Sequence, residues 1–336
     1  EKEVDVLLDH LRRLRAQGTA CIYISHKLDE VFALADRITV LRDGRSVVTL
    51  ERARTSIPEV IKAMVGREMS DLFPPRPARL GAVASAPVLE VRDLTVARAP
   101  GEPPVLRDLS FSIHPGEVLG FGGLMGAGRT ELMMHLFGAW GQRRAGRVAL
   151  QGEPYDHATP RESIARGLVL ATEDRRRYGL VLEQSVGFNL SLSSLADFTR
   201  TSRRIDQERE YQRNQVFFDS LRIKAPGQTS RTGGLSGGNQ QKVVLGKALM
   251  TDPKVVLLDE PTRGIDVGAK REVYDLINRL TDEGRAVILV SSELPELIGM
   301  SDRIVMLAAG RIGGEFVRGE FRPEHLLAAA LGHIAA

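Results

Sequence analysis

Short, wholly apolar runs separated by longer mixed stretches set the rhythm of this chain. Residues 118–121, 255–258 and 287–290 are runs of this kind, each closed by polar or glycine-rich sequence. They predict strands buried on both faces, as in a parallel sheet covered by helices. Residues 88–96 alternate instead and predict a strand with one wet face, part of an antiparallel β region that opens a domain. Helical patterns lie between, among them 130–137 and a helix that follows Ser236 and runs to Met250. Ser56, with Glu59 three positions on, predicts a helix start closed by a capping box. No apolar run is long enough to span a bilayer.

A repeat sets the domain organisation. Residues 25–45 align without a gap on 291–311, an offset of 266, with nine of 21 pairs identical. Asp36, Arg37 and Ile38 fall on Asp302, Arg303 and Ile304, and Gly44 and Arg45 on Gly310 and Arg311. Upstream, Arg13, Leu14, Gly18 and Ala20 fall on Arg279, Leu280, Gly284 and Ala286. The expected organisation is two homologous domains in tandem, the first present only as its tail. Glu1 corresponds to Val267, and the chain opens without methionine inside a helical pattern, as a fragment would. The expected boundaries are residues 1–72 for the first-domain remnant and 73–87 for a linker rich in Pro, Ala and Ser. The second domain covers 88–336, with a helical subdomain at about 155–250.

Composition narrows the classes without choosing among them. Lys and Arg number 46 against 43 Asp and Glu, a net charge of +3 too small to point to nucleic acid. The single cysteine, Cys21, rules out a disulfide framework within the chain and reads as a buried strand residue.

Three segments carry chemistry. Gly123, Gly126, Ala127, Gly128, Arg129 and Thr130 fit the phosphate loop G-x-x-x-x-G-K-[ST], with arginine in place of lysine. The loop follows a strand and leads into a helix, where backbone N–H groups and the helix dipole cradle phosphate. Thr130 is placed to ligate a divalent cation. Arginine keeps the charge but replaces a compact ammonium by a broad planar group, so nucleotide binding with poor hydrolysis is expected. Leu235-Ser236-Gly237-Gly238-Asn239-Gln240-Gln241-Lys242 places Ser236 and two glycines at a helix start, a second anion-binding end. Residues 255–258 then deliver Asp259 and Glu260 to a strand end, where α/β sites lie. Asp259 suits a cation's outer shell and Glu260 an attacking water. Alone, a strand followed by an acidic turn is ordinary structure.

In this order and at these separations the three segments resemble the ABC ATPase family, over essentially the whole chain. The resemblance implies an α/β fold: a P-loop NTPase core of the ABC ATPase type with a helical subdomain and an N-terminal antiparallel β region. It implies ATP and Mg2+ as cofactors. Nucleotide contacts fall on Gly123, Gly126, Ala127, Gly128, Arg129, Thr130 and Glu131, and on the signature residues Ser236, Gly237, Gly238 and Gln240. Metal contacts fall on Thr130, Glu173 and Asp259, and catalysis on Glu260 and His26. Glu173 stands where the family usually has the glutamine that senses the γ-phosphate and contacts the membrane subunit. Asp266 holds the D-loop position. His26, which falls on Ser292 through the repeat, resembles the switch histidine. Arg129, Glu173, Ser292 and the lack of an aromatic just after Thr95 depart from the active pattern.

Residues 235–249, 259–270 and 291–296 are similar to the second domain of tandem ATPases in ribose-, galactose- and xylose-type monosaccharide importers. That implies ATP hydrolysis coupled to import, with membrane permease subunits as partners and an external sugar-binding protein reached through them. It also implies peripheral attachment to the cytoplasmic face of the membrane and no nucleic acid partner. The alternatives are an ATPase importing nucleosides or other small solutes, a non-catalytic nucleotide-binding regulator, and a non-transport ABC protein. The last class is recognised by coiled-coil, zinc-binding or strongly basic insertions. This chain has no heptad run, and its longest basic stretch is Arg175-Arg176-Arg177.

Overall fold

A computed structural model describes residues 2–25, 28–42, 45–56, 59, 60, 63, 73–76, 85–156, 159–199 and 204–332. They form two compact units, 1–75 with 266–272, and 76–265 with 273–336.

The first unit contains helices α1 (Lys2–Ala16) and α2 (Leu28–Leu34) and the antiparallel pair β1 (Arg37–Arg42) and β2 (Arg45–Glu51). Val31, Ile38, Val40 and Val60 form its small core. At the expected helix start, the Glu59 carboxylate accepts from the Ser56 N–H (2.9 Å) and the Thr55 hydroxyl (2.8 Å). This supplies the glutamate half of a capping box, and residues 57 and 58 lie outside the described set. The Thr55 hydroxyl and then the Ser56 amide hold the Glu59 carboxyl below its ordinary range. Cys21 corrects its reading as a buried strand residue. It is exposed, Ile22 and Ile24 beside it are 95% and 90% exposed, and residues 20–24 form no strand. Such a run is buried only by strands on either side, and the described residues of this unit set none against it.

The second unit opens with β3 (Leu89–Ala97) and β4 (Pro104–Ile113), which pair antiparallel; β6 (Gln142–Leu150) and the short β7 (Glu153–Pro154) complete a four-stranded sheet. The second sheet is built on β5 (Val118–Gly123), β8 (Leu168–Ala171), β9 (Val255–Asp259) and β10 (Ala286–Val290). Strands β11 (Arg303–Ala308) and β12 (Arg311–Val317) extend it to the order β12-β11-β5-β10-β9-β8. All neighbours are parallel except β11 and β12. The all-apolar runs are therefore the central strands, and β5, β9 and β10 are buried throughout except at Gly123. One core joins both sheets, with Phe111 of β4 edge-on to Phe121 of β5 at 5.0 Å between ring centroids.

Helix α3 (Arg129–Leu136) follows β5, and α4 (Pro160–Ala165) precedes β8. The expected helical stretch thus contains a strand: residues 168–171 form the sheet edge, and the helical layer begins beyond Ala171. It comprises α5 (Val186–Ser191), α6 (Gln207–Ser220) and α7 (Gly237–Leu249). Helices α8 (Val267–Asp282), α9 (Leu294–Met300) and α10 (Pro323–Ala330) complete the chain.

Elements of the two repeat copies keep the 266-residue offset. Helix α2 matches α9, β1 matches β11, and β2 matches β12, end for end. The bulge between Val40 and Leu41 recurs between Met306 and Leu307.

Within the second unit, Arg76 ties the start of the expected linker to the base of β5. Its buried guanidinium donates to both Asp302 carboxylate oxygens (2.9 and 2.5 Å), to Asn278 (3.0 Å) and to Thr281 (3.1 Å). Asp302 also accepts the Val118 N–H at 2.8 Å, so one carboxylate joins the linker to the strand that carries the phosphate loop.

Candidate functional site

Because β5, β10 and β9 are parallel neighbours, their carboxyl ends lie along one edge. Phe121 pairs with Val290, and Val290 with Asp259. The segments that leave this edge are the glycine loop, Glu260 and Ser291–Ser292.

The loop turns on glycines for steric reasons. Gly123 has φ +146°, and a Cβ there would stand 2.5 Å from the Leu307 carbonyl oxygen; Gly128 has φ +100° and would meet Leu106 at 2.6 Å. Gly128 is the residue before α3 and offers no side-chain cap, so the first N–H groups of that helix are left for an outside acceptor. Met125 at the loop tip is 99% exposed and Ala127 is buried beneath it, which leaves the loop open on its outer side.

Asp259 is buried at 1% exposure, and its Oδ1 has no hydrogen-bond partner. Burial pushes its carboxyl up to about 6; the Thr130 hydroxyl and the Arg129 guanidinium oppose this, and Glu260 and Glu131 add to it. A divalent cation brings positive charge to an oxygen that lacks a partner, and the oxygen donors of Thr130 and Asp259 suit a hard ion. Among the described residues no group of three or more His, Cys, Asp or Glu forms a protein-only metal cage. The pair therefore fits an ion that takes most of its ligands from phosphate and water.

Glu260 has φ +49°, a left-handed conformation that costs a non-glycine residue on the order of 1–2 kcal/mol. Its N–H donates to the Val290 carbonyl (3.0 Å), and its carbonyl accepts from Arg263 N–H (3.1 Å), which fixes the turn. The Ser292 hydroxyl donates to Glu260 Oε2 at 3.0 Å, so the serine at the histidine position touches the carboxylate expected to act on water. Arg129 turns inward. Its Nη1 donates to the Ser291 carbonyl (2.9 Å) and lies 3.7 Å from Glu260 Oε1.

Glu173, expected at the metal, is ion-paired with Arg263 in this structure. Arg175 Nη1 donates to the Arg263 carbonyl at 3.1 Å, so residues 173–175 are latched to the turn after Glu260 from two sides. Burial lowers the Arg175 pKa, and neighbouring Arg176 adds to that. Arg263 lies within the segment 259–270 but was not among the expected site residues, and its role became visible only with these contacts.

The signature segment has its own surroundings. Ser236 occupies the position before α7 with extended backbone, but its hydroxyl caps no backbone N–H and instead accepts from the Asn239 amide at 2.9 Å. The first turn of α7 thus keeps its donors free, as an anion site needs. A Cβ on Gly237 would lie 2.8 Å from Arg175 Nη2 and 3.0 Å from the Gly264 carbonyl, so any side chain there would have to displace the Arg175 guanidinium and crowd that carbonyl. Gly238 is buried in the same turn. Gln240, expected among the nucleotide contacts, is 2% exposed; its Nε2 donates to the Leu235 (3.2 Å) and Thr232 (3.4 Å) carbonyls and so braces the loop from inside. Glu131 lies in the first turn of α3, close enough to raise Asp259. His26 lies outside the described residues.

Residues 106–263 match the family model described as "ABC transporter". The chain is 48% identical, over 99% of its length, to the xylose import ATP-binding protein XylG of Moorella thermoacetica, and covers 65% of that protein. It is 46% identical, over 98% of its length, to the protein of the same name from Pseudomonas savastanoi pv. phaseolicola, covering 63% of it. The chain thus spans a little under two thirds of the length of these curated relatives. Among solved structures, a nucleotide-free ATP-binding cassette from an ABC transporter superposes with TM-score 0.63 at 20% identity, over 75% of this chain and 100% of the other. The ADP conformation of the ABC cassette MJ1267 gives TM-score 0.60 at 22% identity, over 70% and 93%. These two likenesses establish the fold.

Proposed function

We propose that the chain carries an ABC transporter ATP-binding domain and belongs to the ATP-hydrolysing subunit that powers import of a monosaccharide through a membrane permease. Xylose is the first candidate, because relatives 44–48% identical over nearly the whole chain carry that name. The observation that carries the nucleotide reading is the shared sheet edge. A glycine loop with free helix N–H groups, Thr130, a partnerless Asp259 oxygen and Glu260 leave three adjacent parallel strands together.

In this reading the loop and the first turn of α3 take the phosphates, and Thr130 with Asp259 holds Mg2+. The ion supplies charge neutralisation at the phosphates. Glu260 is the group placed to orient and deprotonate water, and Ser292 and Arg129 occupy its oxygens in this state. The chain has an intact Ser236-Gly237-Gly238 signature beside a phosphate loop that lacks its lysine. We infer an asymmetric pair of sites. The hydrolytic one combines the phosphate loop of a first domain, of which residues 1–72 are the tail, with His26 and this signature. The Arg129 site binds nucleotide chiefly as a clamp.

A hollow of about 250 Å3, lined by Met134, Phe137, Ile164, Thr172, Tyr178 and Lys247, opens beside the sensor segment. We infer that the permease docks on the region around Glu173 to Leu190, whose Tyr178 borders this hollow, with the external sugar-binding protein engaged only through the permease. No helix among the described residues is long and apolar enough to cross a membrane.

The test is ATP turnover by the full tandem protein with its permease. His26→Ala is expected to abolish most turnover and Glu260→Gln to cost little; equal loss from Glu260→Gln refutes the asymmetry. In the same assembly Arg176→Glu should weaken permease association while leaving nucleotide affinity unchanged.

A further inference from the structure

Arg129 is the only cationic residue between Gly123 and Thr130, and it does not face out of the loop. Its guanidinium donates to the carbonyl of Ser291, a residue only 1% exposed, and stands 3.7 Å from Glu260 Oε1. The partners are themselves fixed. The other Glu260 oxygen holds the Ser292 hydroxyl at 3.0 Å, and the Glu260 backbone is pinned to Val290. Both side chains of the ion pair are largely buried, at 14% and 8% exposure, so the attraction is weakly screened.

We propose that Arg129 serves this chain as the counter-ion of Glu260, an internal lock in which capture of phosphate by Arg129 and release of Glu260 are a single event. The loop then binds nucleotide first through its backbone N–H groups alone. The arginine is not a weaker lysine. A single nitrogen, Nη1, donates to the carbonyl beyond the β10 end and stands beside the carboxylate. Ser292 takes one acceptor position on Oε2 and the guanidinium stands beside Oε1, so the contact that keeps the cation from phosphate also competes with water for the carboxylate. This inference rests on the nucleotide reading of the loop, and the experiment below separates the two.

The experiment is binding of a fluorescent ATP analogue in EDTA to the wild-type chain, Arg129→Gln, Glu260→Gln and the double variant. The glutamine at 129 keeps an amide donor for the Ser291 carbonyl. With the lock in place, Arg129→Gln changes wild-type affinity by less than about threefold, whereas Glu260→Gln tightens it by about tenfold by freeing the cation. Arg129→Gln added to E260Q then removes about that same tenfold, a coupling the single substitutions do not show. A loss of about tenfold from Arg129→Gln alone, or equal effects in both backgrounds, overturns the lock. Should Arg129→Gln fail to fold, E260Q decides by itself: tightening supports the lock, and affinity within about twofold of wild type overturns it. If the wild-type chain binds no analogue that unlabelled ATP displaces, the nucleotide reading fails and the lock with it.

Discussion

Replacing Asp259 by asparagine is expected to stabilise the nucleotide-free chain while destroying its response to Mg-ATP. Burial raises this carboxyl from its ordinary 3.8 to about 6. At about pH 8 the group is ionised whether the chain is folded or not, so the folded state carries the penalty of the buried charge. A rise of that size corresponds to roughly 3 kcal/mol. Asparagine removes the charge and can still accept from Thr130, but it introduces amide N–H groups where Asp259 left even an acceptor unpaired. Those N–H groups return about 1–2 kcal/mol, leaving a net gain on the order of 1–2 kcal/mol. The pH dependence has a definite sign. A carboxyl whose pKa is raised on folding binds more protons folded than unfolded between 3.8 and about 6. Wild-type stability therefore rises as pH falls through 6 and levels off near 3.8, and the advantage of the variant closes by about pH 5. Urea unfolding followed by circular dichroism, in EDTA and at about pH 8, 6 and 5, measures both quantities. Adding Mg-ATP at about pH 8 should then stabilise the wild type and leave the variant unmoved. A variant less stable than wild type at the highest pH, or a difference that does not change with pH, refutes the argument from burial.

Two further substitutions test what surrounds the site. Arg76→Met should cost about 3 kcal/mol in urea unfolding, because it leaves the largely buried Asp302 carboxylate only the Val118 N–H and the charge of Arg318 for compensation. Arg76→Lys should recover less than half of that, since one ammonium cannot span Asp302, Asn278 and Thr281. Gly237→Ala, which on helix propensity alone would stabilise, should destabilise by about 1–2 kcal/mol, because its Cβ collides with Arg175 and the Gly264 carbonyl. Adding Arg175→Ala should return part of the loss, and strict additivity of the two changes would contradict this packing of Gly237 against Arg175.

Much of the framework was legible in the residues alone. Residues 118–121, 255–258 and 287–290 became the central parallel strands, because four consecutive apolar residues need burial on both faces and a parallel sheet provides it. The glycine loop was equally legible, since φ values of +146° and +100° are open to glycine and to few other residues. The 266-residue repeat was legible as an offset, and the structure shows what it repeats, a hairpin with a bulge at the equivalent place in each copy. The destinations of long side chains were not legible. Arg129, Glu173 and Arg175 end on Ser291 and Glu260, on Arg263, and on the Arg263 carbonyl, partners far along the chain that only the order of strands brings near. Residues 168–171 were placed within a helical region and became a sheet edge, because a four-residue apolar run suits either element and its neighbour β9 decides. Cys21 read as a buried strand residue and stands exposed, with Ile22 beside it. A sequence pattern reports that a segment needs covering, and only the tertiary structure supplies the cover.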